Sequence, residues 1–358
     1  MISVGLWAFV LGGCGPSLAD KVEDLEVPDG FSASLYAEIP GARSLALAPD
    51  GTVFVGTRDA GSVWAVPDDD HDGVGDATIS VASGLDTPNG VAFLDGDLYV
   101  AGRTEVLRFP DVLARLDRPP APEVVLRGLP TDEHHGWRYL AAGPDRMLYL
   151  SVGAPCNVCD RDDPFATIQR LDPRTGELSP VAVGVRNSMG FDWSPRTGRL
   201  WFTDNGRDGM GDDVPADELN MLTQDGEDFG FPYCHAGEVV DPELGVEGDC
   251  DAPTPPEMAL QPHGASLGMA FARTGMLPEP WTDALFVAQH GSWDRSEPVG
   301  YRVAAVLLEE GLERPFVEGW LYDDGSAWGR PVDVLELYDG SLLISDDEAG
   351  ALIRVAAE

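Results

Sequence analysis

One unit recurs six times along this chain of 358 residues: a tight turn followed at once by a short apolar strand. Each turn contains Asp, Gly or Pro, and each strand consists mainly of β-branched, aromatic and leucine residues. The copies are APDGTVFVG (48–56), FLDGDLYVA (93–101), AGPDRMLYLS (142–151), WSPRTGRLWFT (193–203), EPWTDALFVA (279–288) and LYDGSLLISD (337–346). Another strand-like run precedes every turn. Turn residues between two apolar runs indicate a β-hairpin, so the chain is predicted to be all-β.

The spacing of the units predicts how they assemble. The first apolar residues after the six turns are 45, 50, 52, 85 and 57 residues apart. A propeller blade of four strands takes about 40–50 residues, and several blades close into a ring. We therefore predict a six-bladed β-propeller, with a β-sandwich as the alternative fold.

The same spacing predicts the domain boundaries. A single propeller domain is expected over residues 27–358, after a signal- or lipoprotein-like segment and linker at 1–20. The long fourth interval implies an insertion at about 207–262. Residues 31–39, FSASLYAEI, are expected to pair with the last strand and close the ring, which would remove the open sheet edges.

The first fifteen residues, MISVGLWAFVLGGCG, form an apolar run that ends in small residues. Such a run is typical of a signal peptide. The sequence LGGC at 11–14 resembles a bacterial lipobox, in which Cys14 would carry a lipid after cleavage. We predict export, with the protein either periplasmic or anchored to the membrane through a lipid on Cys14. A plain secretion signal and an apolar N-terminal strand are the alternatives.

Four further cysteines fall into two close pairs, Cys156 with Cys159 and Cys234 with Cys250. In an exported protein an even number of cysteines predicts disulfides. A zinc site would require the two pairs to converge, and a redox motif would require a βαβ context. Two local disulfides are therefore expected.

Acidic residues outnumber basic ones by 62 to 23, which gives a formal net charge of −39. Nucleic acids and anionic membrane surfaces are consequently excluded as expected partners. Carboxylate oxygens suit calcium, and residues 68–76 begin like a calcium loop with Asp68, Asp70 and Asp72 as candidate ligands. Position twelve of that loop is Ile79 instead of Glu, so a solvated acidic turn is the alternative.

Polar side chains occupy one recurring position, just upstream of each innermost strand. In a propeller these positions converge near the central axis, where they would form a polar funnel for a ligand. Histidine can act as a base and arginine can stabilise an anion, so an anionic ligand is favoured. Any one of these residues alone would be an ordinary loop residue. The set is Arg43, Asn89, His134, His135, Arg186, Asn187, His263 and Arg330.

Five segments resemble the glucose/sorbosone dehydrogenase family, and the sorbosone-type members more than the soluble glucose dehydrogenases. They are EHHGWRYLAAGPDRMLYLSVGAPCNVC (133–159), GVRNSMGFDW (184–193), DNGRD…DELN (204–220), HGSWDRSEPVGYRV (290–303) and GRPVDVLELYDGSLLISDD (329–347). The likeness extends over about residues 129–355. It implies a six-bladed propeller that binds pyrroloquinoline quinone (PQQ) and calcium and oxidises a sugar or a related alcohol or aldehyde. The electron acceptor is not indicated.

The resemblance also implies roles for individual residues. His135 would remove the proton from the hydroxyl of the sugar or polyol, and Arg186 would polarise the quinone carbonyl. Asn187 and Asn205 would contact the cofactor, and Arg330 would pair with its carboxylates. The backbone carbonyls of Gly206 and Arg207 would bind calcium.

The chain departs from the family pattern at three places. Glucose-type members have an Asp beside the catalytic His, where this chain has Ala154. They also place a lysine on the cofactor in the region of residues 290–295, whereas the only lysine here is Lys21. His290 or Arg295 would take its place. His263 stands where a smaller polar group is usual.

Two other functions remain open at this point. One is a non-catalytic exported propeller that binds a carbohydrate or a protein partner. The other is a lactonase-type propeller hydrolase, which calls for carboxylate and Asn side chains on the axis.

Overall fold

Each of the six repeats forms one antiparallel sheet in the computed structural model, which describes residues 16–162 and 164–358. The inner strands of neighbouring sheets pack against one another in a ring. The predicted six-bladed β-propeller is therefore confirmed.

The ring is closed by β1 (Phe31–Glu38), which pairs with the last strand of the chain. Blade one contains β2 (Ala42–Leu47), β3 (Val53–Thr57), β4 (Val63–Val66) and β5 (Ile79–Ala82). Blade two contains β6 (Gly90–Leu94), β7 (Asp97–Ala101), β8 (Glu105–Phe109) and β9 (Glu123–Arg127), with a 3-10 turn at Leu113–Arg115. Blade three contains β10 (Leu140–Ala142), β11 (Leu148–Val152), β12 (Thr167–Leu171) and β13 (Leu178–Val183).

Blade four starts with β14 (Phe191–Trp193), β15 (Leu200–Asp204) and β16 (Asp217–Met221). Three short strands follow, β17 (Glu227–Asp228), β18 (Cys234–His235) and β19 (Val239–Val240), before the outer strand β20 (Met258–Leu260). Blade five contains β21 (Ser266–Phe271), β22 (Leu285–Gln289), β23 (Arg302–Leu307) and β24 (Leu312–Val317). Blade six contains β25 (Pro331–Glu336), β26 (Leu342–Asp346) and β27 (Ala351–Ala357), and β1 completes it.

The closure predicted for residues 31–39 is confirmed. Strand β1 runs antiparallel to β27, with Phe31 opposite Ala357 and Glu38 opposite Ala351. The first and last strands of the domain thus share one sheet, and the hydrogen bonds between them hold the ring shut.

The extra length of blade four lies in two excursions, residues 205–216 and 222–257, on either side of β16. The second excursion adds β17 to blade three in parallel with β13. It also carries the Cys234–Cys250 disulfide, with a Cα–Cα distance of 5.2 Å. The first excursion lies near the loop closed by Cys156–Cys159, whose Cα atoms are 6.1 Å apart. Both predicted disulfides are confirmed.

The described part of the chain begins with a short helix, α1 (Leu18–Glu23), that is held by a capping box between Ser17 and Asp20. Val22 and Leu25 are buried in the core shared by blades five and six. Residues 1–15, with the predicted lipid site Cys14, lie outside the described residues. Within residues 16–162 and 164–358, no helix is long and apolar enough to cross a membrane.

Glycine allows the inner strands to approach closely at the axis. A Cβ atom on Gly190 would lie 2.1 Å from the carbonyl oxygen of Leu267, and one on Gly268 would lie 2.0 Å from the carboxylate of Asp333. No side chain fits at such distances, so glycine lets its blade lie directly against the Leu267 backbone in one place and against Asp333 in the other. The inner strands of blades four, five and six therefore lie close together near the axis.

Candidate active site

A cavity of about 540 Å³ lies on the axis, at the end where the inner strands begin. It is lined from blades one, three, four, five and six and by the loops between them. Ten of the residues predicted for the site line it: Arg43, His134, His135, Arg186, Asn187, Asn205, Gly206, His263, His290 and Arg330. The wall also contains Arg58, Glu133, Trp137, Asp208, Asp217, Trp293 and Asp294.

His135 is buried in this wall and has a left-handed backbone conformation, with φ of 48°. Its Nδ1–H donates to the backbone carbonyl of Ala154 at 2.8 Å. The lone pair of the ring is therefore on Nε2, which is the nitrogen able to accept a proton. Burial, and then the nearby charge of Arg186, lower the pKa of His135 well below 6.5. The ring is consequently a neutral base at neutral pH.

The buried carboxylate of Asp204, at the end of β15, fixes the turn that presents Arg186 and Asn187. One carboxylate oxygen accepts the backbone N–H of Arg186 at 2.7 Å, and the other accepts that of Asn187 at 2.6 Å. Burial and the neighbouring Glu218 raise the pKa of Asp204 well above 3.8. The turn is thus held by a side chain from the blade that follows it.

The guanidinium of Arg186 is largely occupied by the protein itself. Its Nε–H donates to the carbonyl of Asn157 at 2.8 Å, and Nη1 donates to the carbonyl of Asn205 at 3.1 Å. Nη2 donates to Oδ1 of Asn157 at 2.9 Å and to the carboxylate of Asp208 at 3.1 Å. Arginine has five N–H donors. One N–H, on Nη1, therefore remains for a ligand.

Arg330 differs from Arg186 in how much of its guanidinium is left for a ligand. Its Nε–H and one Nη2–H donate to the carbonyls of His290 and Gly291 at 3.0 and 2.6 Å, and the group lies over the ring of Tyr301. Three N–H donors remain. In the described parts of the chain no carboxylate lies within 4.0 Å of this guanidinium. Its positive charge is therefore available to an anion.

Across the cavity, Asp347 joins Arg43 to His290. The carboxylate forms an ion pair with Arg43 and accepts from Nε2 of His290 at 2.8 Å, while Arg43 also donates to Asn89 at 2.7 Å. Burial lowers the pKa of His290 to about 4. Burial alone would raise the pKa of Asp347, but the hydrogen bond from His290 and the charge of Arg43 outweigh it and hold this pKa below its usual value.

Oxygen atoms are concentrated on the wall formed by blade four. Gly206 donates its backbone N–H to buried Asp217 at 3.1 Å, and burial raises the pKa of Asp217 to about 6. The amide nitrogen of Asn205 donates to the carbonyls of Asn187 and Ser266 at 2.9 and 3.1 Å, so its carbonyl oxygen is the group left for a ligand. His263 hydrogen bonds through Nε2 to the carbonyl of Gly211 at 2.9 Å.

The side chains of Arg207 and Arg295 lie outside the lining of the cavity. Arg207 forms a buried ion pair with Asp241, 2.5 Å away, and a second with Glu243, so only its backbone is available near the site. Arg295 donates to the carbonyl of Asp212. The roles predicted for both residues stay predictions.

The acidic loop predicted as a second calcium site lies in blade one. Carboxylate oxygens of Asp68, Asp70 and Asp76 lie within 4.8 Å of one another. Asp72 instead accepts the backbone N–H of Val74 at 2.9 Å. Calcium at this loop stays a prediction.

A second recurring position in the repeat holds three wall residues and Asp347, which binds two others. It could have revealed Arg58 and Asp347, which the inner-strand position does not predict. Arg58, Asn205, His290 and Asp347 each follow the second strand of a blade. Because that strand is antiparallel to the inner one, its end lies beside the start of the inner strand. The remaining contacts, from Trp137, Asn157 and Asp208, arise from loop conformations that the repeat does not encode.

Comparison with known proteins gives one relative over nearly the whole chain. An uncharacterised protein of Borreliella burgdorferi is 30% identical over an alignment of 370 positions that covers 98% of this chain and 95% of that protein. Residues 243–318 match the family described as TrAA12-like.

Solved structures of similar fold include sugar-oxidising enzymes. The Trichoderma reesei carbohydrate-active enzyme of family AA12 matches in an iodide structure with a TM-score of 0.77 and 20% identity, and in a calcium structure with a TM-score of 0.76 and 19% identity. Both matches cover 94% of this chain and 98% of that one. The holo PQQ domain of pyranose dehydrogenase from Coprinopsis cinerea matches with a TM-score of 0.77, 18% identity and coverage of 93% and 97%. PQQ-bound aldose sugar dehydrogenase from Streptomyces coelicolor matches with a TM-score of 0.64 and 18% identity, and the match covers 93% of this chain and 100% of that one. These likenesses establish the fold.

Proposed function

Because the chain belongs to the family of the Borreliella burgdorferi protein and has the propeller fold of the glucose/sorbosone dehydrogenases and AA12 enzymes, we propose that it is a PQQ- and calcium-dependent dehydrogenase of a sugar or a related alcohol or aldehyde. The observation that carries the proposal is the pairing of a neutral, buried His135 with a cavity wall that holds four arginines. That combination provides a base for a hydroxyl proton and a site for an anionic cofactor.

The cavity suits PQQ, which is flat and carries several carboxylates. Arg330 offers three N–H donors and an uncompensated charge, which suits bidentate binding of a carboxylate. Asn187 and the carbonyl oxygen of Asn205 are amide groups on the same wall. When bound, PQQ would accept the two electrons and the hydrogen that leave the substrate.

Calcium would be held on the wall of blade four. Gly206, Asp208 and Asp217 lie there together, and carbonyl and carboxylate oxygens are the ligands that calcium prefers. The backbone of Arg207 is adjacent, and its side chain is anchored away from the cavity. The oxygen-rich chemistry of this wall supports the proposal.

In the proposed reaction, Nε2 of His135 accepts the proton of the substrate hydroxyl. The Nδ1–H···O=C bond to Ala154 keeps the proton of the resting ring on the other nitrogen. The remaining N–H of Arg186 would stabilise negative charge on a carbonyl oxygen of the bound quinone, as an oxyanion-hole donor does. Trp137 packs edge-on to His135, with ring centroids 6.5 Å apart, and limits the movement of the imidazole.

The test is reconstitution of the purified protein. PQQ and Ca²⁺ are added together and separately, and the quinone absorbance is followed before and after addition of aldoses, polyols and aldehydes. Binding that requires both additions, followed by bleaching of the quinone band with at least one substrate, is the expected result. Sugar binding without any PQQ binding would replace the dehydrogenase by a carbohydrate-binding propeller. Lactone hydrolysis with a metal alone would favour the hydrolase.

Export is part of the proposal. The two disulfides, Cys156–Cys159 and Cys234–Cys250, suit an oxidising compartment. The mass of the mature protein would show cleavage before Cys14 and a lipid on it.

A further inference from the structure

The loop that follows β11 contacts Arg186 and is closed by the Cys156–Cys159 disulfide. Asn157 lies inside this four-residue ring. Neither the repeat nor the proposed chemistry uses this residue. Its contacts are nevertheless directed at the cavity wall.

Asn157 binds one edge of the Arg186 guanidinium through two acceptors. Its backbone carbonyl accepts from Nε at 2.8 Å, and its side-chain oxygen accepts from Nη2 at 2.9 Å. Two acceptors from one residue bind the parallel N–H groups of this edge and so fix both the position and the plane of the guanidinium, which is otherwise at the end of a flexible side chain.

The same side chain joins the loop to the first excursion of blade four. Oδ1 of Asn157 also accepts the backbone N–H of Asp208 at 2.8 Å, and Nδ2 donates to the carbonyl of Asp208 at 2.9 Å. The Asp208 carboxylate in turn binds Arg186 at 3.1 Å. Asn157, Asp208 and Arg186 therefore form a closed triangle of hydrogen bonds on the cavity wall.

We propose that Asn157 is a positioning residue for Arg186 and that the Cys156–Cys159 disulfide keeps it in place. The inference rests on the proposed function, because its consequence is the direction of the single Arg186 N–H left for a ligand. A short covalent ring restricts the backbone on both sides of Asn157, so its two oxygen atoms keep a fixed relation to each other. An amide side chain is required at this position because it must accept the backbone N–H of Asp208 and donate to the carbonyl of Asp208 at the same time.

The first measurement needs no cofactor. Hydrogen exchange of the Arg186 Nε–H is followed by nitrogen-15 NMR, with the signal assigned by its loss in Arg186→Lys. Slow exchange is expected in the wild type. Asn157→Ala keeps the backbone carbonyl that accepts from Nε but loses the side-chain bonds to Nη2 and Asp208 that hold this carbonyl in place, so exchange at least tenfold faster is expected in this variant and in Cys156→Ser/Cys159→Ser. Asp160→Ala is the matched control, since Asp160 lies next to the disulfide and accepts from the hydroxyl of Tyr233 at 2.7 Å without contacting Arg186. Equal exchange in wild type and Asn157→Ala would overturn the inference.

The second measurement uses protein loaded with PQQ and Ca²⁺. Asn157→Ala is expected to lower the rate of quinone reduction at saturating sugar by up to about 10²-fold, the scale of a misplaced group, while KM for the sugar changes by less than about threefold. Asn157→Asp keeps the acceptor and should lose less. A wild-type rate in Asn157→Ala, or an equal loss in Asp160→Ala, would contradict the positioning role. If the wild type binds no PQQ while the Nε–H of Arg186 is protected from exchange, the proposed function is wrong, but the positioning of Arg186 by Asn157 is still supported.

Discussion

His135 donates its Nδ1–H to the backbone carbonyl of Ala154 at 2.8 Å. Glucose-type members of the family that the sequence resembles have an aspartate at the position of Ala154. A carbonyl can fix the same tautomer, but it carries no negative charge that would stabilise an imidazolium. Among residues 16–162 and 164–358 no carboxylate raises the pKa of His135, whereas burial and the charge of Arg186 lower it.

The first prediction concerns His135 and pH. His135→Ala should keep its affinity for PQQ and lose turnover by about 10²–10⁴-fold, the usual contribution of a general base. In the wild type the base is needed without its proton, so kcat should fall only when the pH drops through the lowered pKa of His135. We therefore expect kcat to be level from pH 8 to below pH 6.5. Single-turnover rates across this range measure it.

Glycine at position 153 makes the placement of His135 possible, because a Cβ there would lie 2.6 Å from the Cβ of His135.

A loss of kcat that begins at or above pH 7 would show that the base is another group. Full activity in His135→Ala would show the same directly.

The second prediction separates two arginines. Arg330→Ala should mainly weaken PQQ binding, because a charge pair with a carboxylate is present before and during the reaction. Arg186→Ala should mainly slow quinone reduction. The activation free energy should rise by ~2.7–4 kcal/mol if the one remaining N–H of Arg186 acts as an oxyanion donor. Titration of PQQ gives the first effect, and stopped-flow reduction at saturating PQQ gives the second.

Arg196→Ala is the control, since Arg196 is an exposed surface residue paired with Glu309. Its affinity and its rate should both match the wild type. If Arg330→Ala and Arg186→Ala change the same quantity by the same factor, the division of roles fails.

Sequence repeats predicted the ring and much of the wall because both follow from strand order. His135, Arg186 and Arg330 precede inner strands, and the fold places that position at the axis in every blade. The repeat does not determine which way a loop turns. Arg207 and Arg295 are adjacent to the site in sequence, and their side chains leave it because acidic residues and carbonyls in the excursions of blade four bind them.

The last prediction concerns Asp333, which links blade six to blade one. Its buried carboxylate accepts the backbone N–H of Leu45 at 2.9 Å and that of Val334 at 3.0 Å. Burial raises its pKa to about 8, so the folded protein holds a proton there that the unfolded chain releases above about pH 4. A carboxyl group whose pKa is raised by folding stabilises the fold at pH values below its pKa in the unfolded chain. This contribution is lost as the pH rises from about 4 to 8.

Asp333→Asn should therefore abolish the release of one proton on unfolding, and with it that proton's contribution to the pH dependence of stability. Between pH 5 and 8 the free energy of unfolding of the wild type should fall more steeply than that of the variant, by up to about 1.4 kcal/mol per pH unit. Urea unfolding at each pH measures both slopes. Val334→Ala, which removes buried apolar atoms next to Asp333, should lower stability by a similar amount at every pH and leave the slope unchanged. Parallel curves for the wild type and Asp333→Asn would mean that Asp333 is already ionised in the folded ring.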